Sequence, residues 1–188
     1  MAFDINKIKN TIAEAKEHKV KLEERNTKIK ASYRDGLNRS YNAFIYSLNS
    51  DDFEDFLQEL LDDKYNYDCD NECFVITAKL CYKRTNFRLI IKGDSFIQEK
   101  EYLISTNIDW NSSYVDYEKD KYFKDLFNNT MQDIYQELIS KLKSLGFAVK
   151  TRYYWNLFDL WESSSKDSMS STGEHSHTDS SIELKINE

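Results

Sequence analysis

Apolar side chains recur at Ile5, Ile8, Ile12, Ala15, Leu22, Ile29 and Tyr33, and then at Leu37, Tyr41, Phe44 and Leu48. Steps of three and four residues place all of them on one face of an α-helix. The chain contains no proline, and Gly36 is the only glycine in this stretch, so no residue here forces a break. A continuous helix from about Asp4 to Leu48 would be roughly 65 Å long at about 1.5 Å per residue. A chain of 188 residues cannot build a core that covers such a rod along its whole length. Part of the stripe is therefore expected to meet another chain or to fold back on itself. Lys19 and Asn26 interrupt the seam, so the expected product is a homodimer, coiled coil or hairpin of modest strength, with Ile5, Ile8, Ile12, Leu22 and Ile29 as contact residues.

Charge separates along the chain. Residues 1–49 carry 10 basic and 6 acidic side chains, whereas residues 51–72 carry 10 acidic ones against Lys64 alone. The net charge of −7 argues against direct nucleic-acid binding, which favours a basic domain. The acidic stretch can instead imitate the phosphates of DNA towards a basic groove on a partner, through Asp51, Asp52, Asp55, Asp62, Asp63, Asp68 and Asp70. The simpler account of the same residues is a solvated helix face.

With 40% apolar and 14% aromatic residues the chain can bury a real core. No run of 18 apolar residues occurs, and the N-terminal segment MAFDINKIKN has no signal-peptide character, so a cytoplasmic protein without a membrane span is expected. In a reducing compartment Cys69, Cys73 and Cys81 are expected as free thiols.

After the long helix, residues 51–63 repeat the one-face pattern at Phe53, Phe56, Leu57, Leu60 and Leu61, with Asn49-Ser50-Asp51-Asp52 supplying a cap and an acidic first turn. Residues 62–72 read as an acidic loop. Alternation at Phe74, Ile76, Ala78, Leu80 and Tyr82 predicts a strand, Arg84-Thr85-Asn86 a connection, and residues 87–92 the returning strand of a hairpin. A third strand is predicted from Tyr102 to Trp110. Phe123, Phe127, Met131, Ile134, Leu138, Leu142 and Leu145 predict a helix over residues 118–145, closed by Gly146 as a left-handed C-cap. Residues 147–153 and 157–161 are predicted as two closing strands. The order ααβββαββ implies an α+β fold in which one long helix packs on a mostly antiparallel sheet of about five strands.

Three segments follow: an amphipathic helix at 1–49, an α+β domain at 50–162, and a Ser-rich flexible tail at 163–188. Within that tail Ile182, Leu184 and Ile186 alternate with polar residues, a pattern suited to pairing with the sheet edge of a partner.

Motifs for chemistry are sparse. His18, His175 and His177 are the only histidines, and none is placed in sequence to orient against a nucleophile. Cys69 and Cys73 fall short of the four ligands of a closed zinc site. The acidic loop lacks the spacing and turn glycine of an EF-hand. Four glycines and no phosphate-binding motif leave ATP- or NAD-dependent chemistry without support. A metal-dependent nuclease would need converging carboxylates and a lysine, for which Asp70, Glu72 and Lys79 are the nearest approximation. Neither a metal nor a cofactor is expected. The aromatic set Tyr153, Tyr154 and Trp155 offers contact residues of the kind that dominate interfaces.

The expectation is a non-enzymatic protein-binding protein that inhibits or modulates a host protein, its partner being in one version a nucleic-acid-binding protein. Abundant Lys, Asn, Ile and Tyr match coding from an AT-rich genome. In size, charge and helical content the chain resembles small accessory proteins of phages that infect low-GC Gram-positive bacteria, anti-CRISPR proteins among them. That resemblance transfers no functional residue. A structural or assembly component of a virion is the alternative, and a nuclease the third.

Overall fold

The computed structural model describes residues 4–83, 86–93, 98–105, 121–151 and 177–186. Helix α1 runs unbroken from Ile5 to Leu48. Asp4 caps it, its carboxylate accepting from the Asn6 and Lys7 amides at 3.0 and 3.2 Å. Helix α2, Asp51–Asp62, begins after Ser50, with Asp51, Asp52 and Glu54 in its first turn. Ser50 occupies the cap position without capping. Its hydroxyl donates instead to the Ser47 carbonyl at 2.6 Å, tying the end of α1 to the start of α2.

The stretch expected to be an acidic loop is more ordered than that. A 3₁₀ turn, Lys64–Asn66, leads into a two-residue strand β1, Tyr67–Asp68, which pairs with the start of β2, Cys73–Lys83. Asn66 organises this corner. Its buried amide donates to the Leu60 carbonyl at 2.7 Å, and Gly93 sits so close that a Cβ there would lie 2.3 Å from the Asn66 side-chain oxygen. Only glycine fits at 93 without moving that amide. The polar Asn66 was invisible to hydropathy because it is buried by virtue of its hydrogen bond.

Strands β2, β3 (Asn86–Gly93) and β4 (Glu99–Ser105) form an antiparallel meander. The β2–β3 hairpin agrees with the alternation in the sequence. Strand β4 begins at Glu99, three residues ahead of expectation, because Glu99 and Glu101 lie exposed on the sheet edge, where charge is tolerated. Residues 106–110 of the expected third strand lie outside the described residues. Helix α3, Lys121–Ser144, then leads to β5, Phe147–Thr151. Gly146 between them has φ +97°, the left-handed cap expected there.

The last strand overturns one expectation. Residues 177–186, read from the sequence as part of a flexible tail, form β6 (His177–Ile186), which lies between β2 and β5 in the sheet order β4-β3-β2-β6-β5. It pairs antiparallel with both neighbours, Ile182 standing opposite Ile76 of β2 and Thr151 of β5. Ile182 and Leu184 are fully buried. The strand potential seen in Ile182 and Leu184 is thus spent inside the chain's own sheet. The polar residues around them conceal the strand in the sequence, because Ser180 is also buried, its hydroxyl bonded to that of Tyr135 on α3. Glu183, on the opposite face, is nearly buried beside Lys150 at 3.7 Å. Residues 157–161, expected as the closing strand, and residues 163–176 of the expected tail lie outside the described residues.

The fold is α+β, with a core between one sheet face and the helices. Tyr33, Leu37, Phe44 and Leu48 of α1, Phe53 and Leu60 of α2, and Phe123, Phe127, Ile134 and Leu138 of α3 pack on Ile76, Leu80, Leu89, Ile91, Ile182 and Leu184. Helices α1 and α3 run parallel. Tyr33 meets Phe123 edge-on at 5.0 Å between ring centres, and further along Tyr41 donates to Glu137 at 3.0 Å. Among the described residues no helix is long and apolar enough to cross a membrane.

Candidate functional site

The inner half of α1 packs on its own chain and the outer half does not. Every residue from Asp4 to Glu24 is exposed, and the first residue of α1 that is fully buried is Tyr33. The expected contact residues divide accordingly. Ile5, Ile8, Ile12 and Leu22 are 58, 43, 50 and 40% exposed, whereas Ile29 is half-buried against the core. At 3.6 residues per turn, these five residues and the buried Tyr33, Gly36, Leu37, Phe44 and Leu48 fall within one sector of roughly 140°. The exposed stripe is the outward continuation of the face that α1 uses in its core. Apolar residues aligned this way on a solvated surface make the arm a candidate contact surface, which scattered ones would not.

Charge borders the stripe. Lys9, Lys16, Arg25, Glu14 and Glu23 flank it, Lys19 lies within it, and Glu17 and Glu24 fall on the opposite side of the helix. Exposed ion pairs, Lys21 to Glu17 at 2.6 Å and Lys19 to Glu23 at 3.8 Å, stiffen the arm by a few tenths of a kcal/mol each. The arm leaves the body where α3 begins. Lys30 lies over the Tyr122 ring, 4.9 Å from its centre.

The acidic residues form a second surface. Asp51, Asp52, Asp55 and Asp62 lie exposed along α2, and Asp70 is exposed in the turn after β1. Two of the expected set serve the backbone. Asp63 is half-buried and accepts from the Tyr65 amide at 3.0 Å, and Asp68 accepts from the Asp70 and Asn71 amides at 3.0 and 3.1 Å. Those two hold the turn and are poor candidates for contacting a partner. Lysines tie the helix to the body, Lys141 to Glu54 at 2.7 Å and Lys100 to the Asp52 carbonyl at 2.9 Å. Tyr65 and Tyr67, which the sequence did not single out, are exposed beside these acids. Their signal was the alternation Tyr65-Asn66-Tyr67 around the buried Asn66. Tyr153, Tyr154 and Trp155 lie outside the described residues.

Of the residues considered for chemistry, Cys69 is exposed, and Cys73 and Cys81 are buried and free. Burial pushes the Cys81 thiol up, which keeps it protonated and a weak nucleophile. Glu72 and Asp70 are exposed in the turn, and Lys79 is half-buried within β2. Among the described residues no three His, Cys, Asp or Glu side chains converge as a metal site. Compared with family models, curated proteins and solved structures, the chain matches none.

Proposed function

We propose that the protein acts by contact, as a binding protein whose working surface is the arm formed by residues 4–24 of α1. One observation carries this reading. Ile5, Ile8, Ile12 and Leu22 stay solvent-exposed on a helix face whose continuation is core. Covering them would bury apolar area, which favours association by about 25 cal/mol per Å². A protein that works by contact can inhibit or modulate a host protein with no chemistry required of the chain itself.

A photo-crosslinking side chain placed at Ile8 of the full chain, in cells that produce it, tests the reading. Tyr46, exposed on the body half of α1, serves as the control position. Protein adducts are expected at position 8 and should disappear when Ile5 and Ile12 are changed to Asp. Equal yields at 8 and 46, or adducts indifferent to those changes, would overturn the reading.

A second reading is favoured by the geometry of α2, which turns Asp51, Asp52, Asp55 and Asp62 together to solvent. Such a ridge suits a basic groove that otherwise holds DNA phosphates. Reversing these four residues to Lys should then abolish partner capture and its salt dependence while the fold survives, since each exposed charge contributes only about 0.3–0.5 kcal/mol.

A further inference from the structure

Resting on the reading of the arm as a contact surface, we infer that its occupant is the arm of a second copy of this chain, laid antiparallel. Three observations lead there.

The first is the repeat. From Ile5 onward the stripe follows a seven-residue pattern with Ile5, Ile12, Lys19 and Asn26 at one seam position and Ile8, Ala15, Leu22 and Ile29 at the other. Further on, Tyr33 and Gly36 occupy the same two positions and are buried by the chain's own body.

The second is the direction of α3. It runs parallel to α1 on this same side, beginning at Lys121 and reaching Lys30 through Tyr122. A second α1 lying parallel and in register would have to occupy that space, because α1 is continuous to Leu48. The parallel arrangement is blocked beyond about residue 29. An antiparallel arm brings only its N-terminal end towards the body, so its own body lies at the far end.

The third is length. The register that covers the whole exposed stripe sets Ile5 against Leu22 of the second copy, Ile8 against Lys19, and Ile12 against Ala15. Each layer occurs twice about the two-fold axis, which passes between residues 13 and 14. Large side chains meet small ones at the centre, and Lys19 can lay its aliphatic stem over Ile8 with its ammonium in water. The capped start of α1 in one arm, at Asp4, then lies level with residue 23 of the other, short of Ile29 and Lys30, which their own chain already engages. A shift by one heptad either drives Ile5 onto Ile29 or leaves Leu22 uncovered. In the matching register Asp4 falls beside Arg25 of the second copy, and Lys9 falls beside Lys16.

That last pair supplies a test that composition alone would not suggest. Two like-charged contacts weaken the antiparallel dimer, so Lys16→Glu converts both into attractive ones. Sedimentation equilibrium on the full chain should show self-association that Ile12→Asp abolishes and Lys16→Glu tightens by roughly tenfold, about 1.4 kcal/mol shared by the two exposed pairs. Ile12 and Lys16 are exposed, so neither change threatens the fold, and circular dichroism confirms this. Tyr46→Asp should leave association unchanged. A chain that stays monomeric at hundreds of micromolar, or a dimer indifferent to Ile12→Asp or weakened by Lys16→Glu, would overturn the inference. If the crosslinker at position 8 then captured other proteins and never a second copy, the arm would remain a contact surface with a different occupant.

Discussion

The two halves of α1 use one stripe for opposite ends. From Tyr33 to Leu48 it is buried against α3, β4 and α2, while from Ile5 to Leu22 the same face stands in water. No proline or glycine separates them. The difference lies in where the described elements stand, because α3 begins at Lys121, level with Lys30, and among the described residues none packs further out along the stripe. A continuous amphipathic pattern thus specifies that a face wants cover without specifying who supplies it.

Deleting whole elements gives the sharpest contrast between body and arm. Ending the chain before His177 removes the strand between β2 and β5, together with Ile182 and Leu184. Cooperative thermal unfolding by circular dichroism should be lost. Starting the chain at Leu22 should leave the melting temperature of the body within about 2 °C of the full chain when measured in dilute solution, because exposed helix contributes little. A body that survives without β6 would break the comparison from one side, and an arm whose loss unfolds the body would break it from the other.

Single truncations repeat the contrast at smaller scale. Leu37→Ala removes a fully buried side chain and should cost about 2–5 kcal/mol in urea unfolding. Ile12→Ala should change it by no more than about 0.5 kcal/mol at concentrations where the chain is monomeric.

Alkaline pH reads the body half alone. Burial pushes the Tyr102 phenol up to about 12, where it packs edge-on against Phe44 of α1 at 4.9 Å. Tyr41 is also raised, by burial and by its hydrogen bond to Glu137. A phenol whose pKa is higher in the folded chain than unfolded contributes its full stability below about pH 10. That contribution is lost as the pH climbs from about 10 through about 12. Tyr102→Phe should flatten the decline in unfolding free energy over that window.

The smallest expected effect lies in the turn after β1, where Glu72 adopts φ 52°. Side chains other than glycine pay about 1 kcal/mol there, so Glu72→Gly should be neutral to stabilising by up to about 1 kcal/mol despite the added freedom of the unfolded chain.

Much of this architecture was legible because each helix and the β2–β3 hairpin carry their own periodicity. Gly146 announced the end of α3 through its capping chemistry, whereas Ser50, expected to cap α2, bonds to the Ser47 carbonyl instead. What the sequence hid is non-local. Ser180 and Glu183 sit in buried positions because Tyr135 and Lys150 lie beside them, partners 45 and 33 residues away that no local window includes. Read locally, a Ser-rich segment has too little apolar area to order itself, and β6 is ordered only because β2 and β5 flank it. The candidate site was legible in part for the same reason. The stripe at Ile5, Ile8, Ile12 and Leu22 shows in the sequence, but that Ile29 falls on the covered side depends on where α3 begins.

Hydrogen–deuterium exchange along α1 at increasing protein concentration tests most directly the claim that one stripe serves as core and as contact surface. Amides from Tyr33 to Leu48 should be protected equally at every concentration, whereas those from Ile8 to Leu22 should exchange rapidly in dilute solution and become protected as concentration rises. Full protection of the arm at the highest dilution would contradict the account, since the arm would then be packed on its own chain. Rapid exchange of the arm at all concentrations and in producing-cell extract alike would contradict it equally.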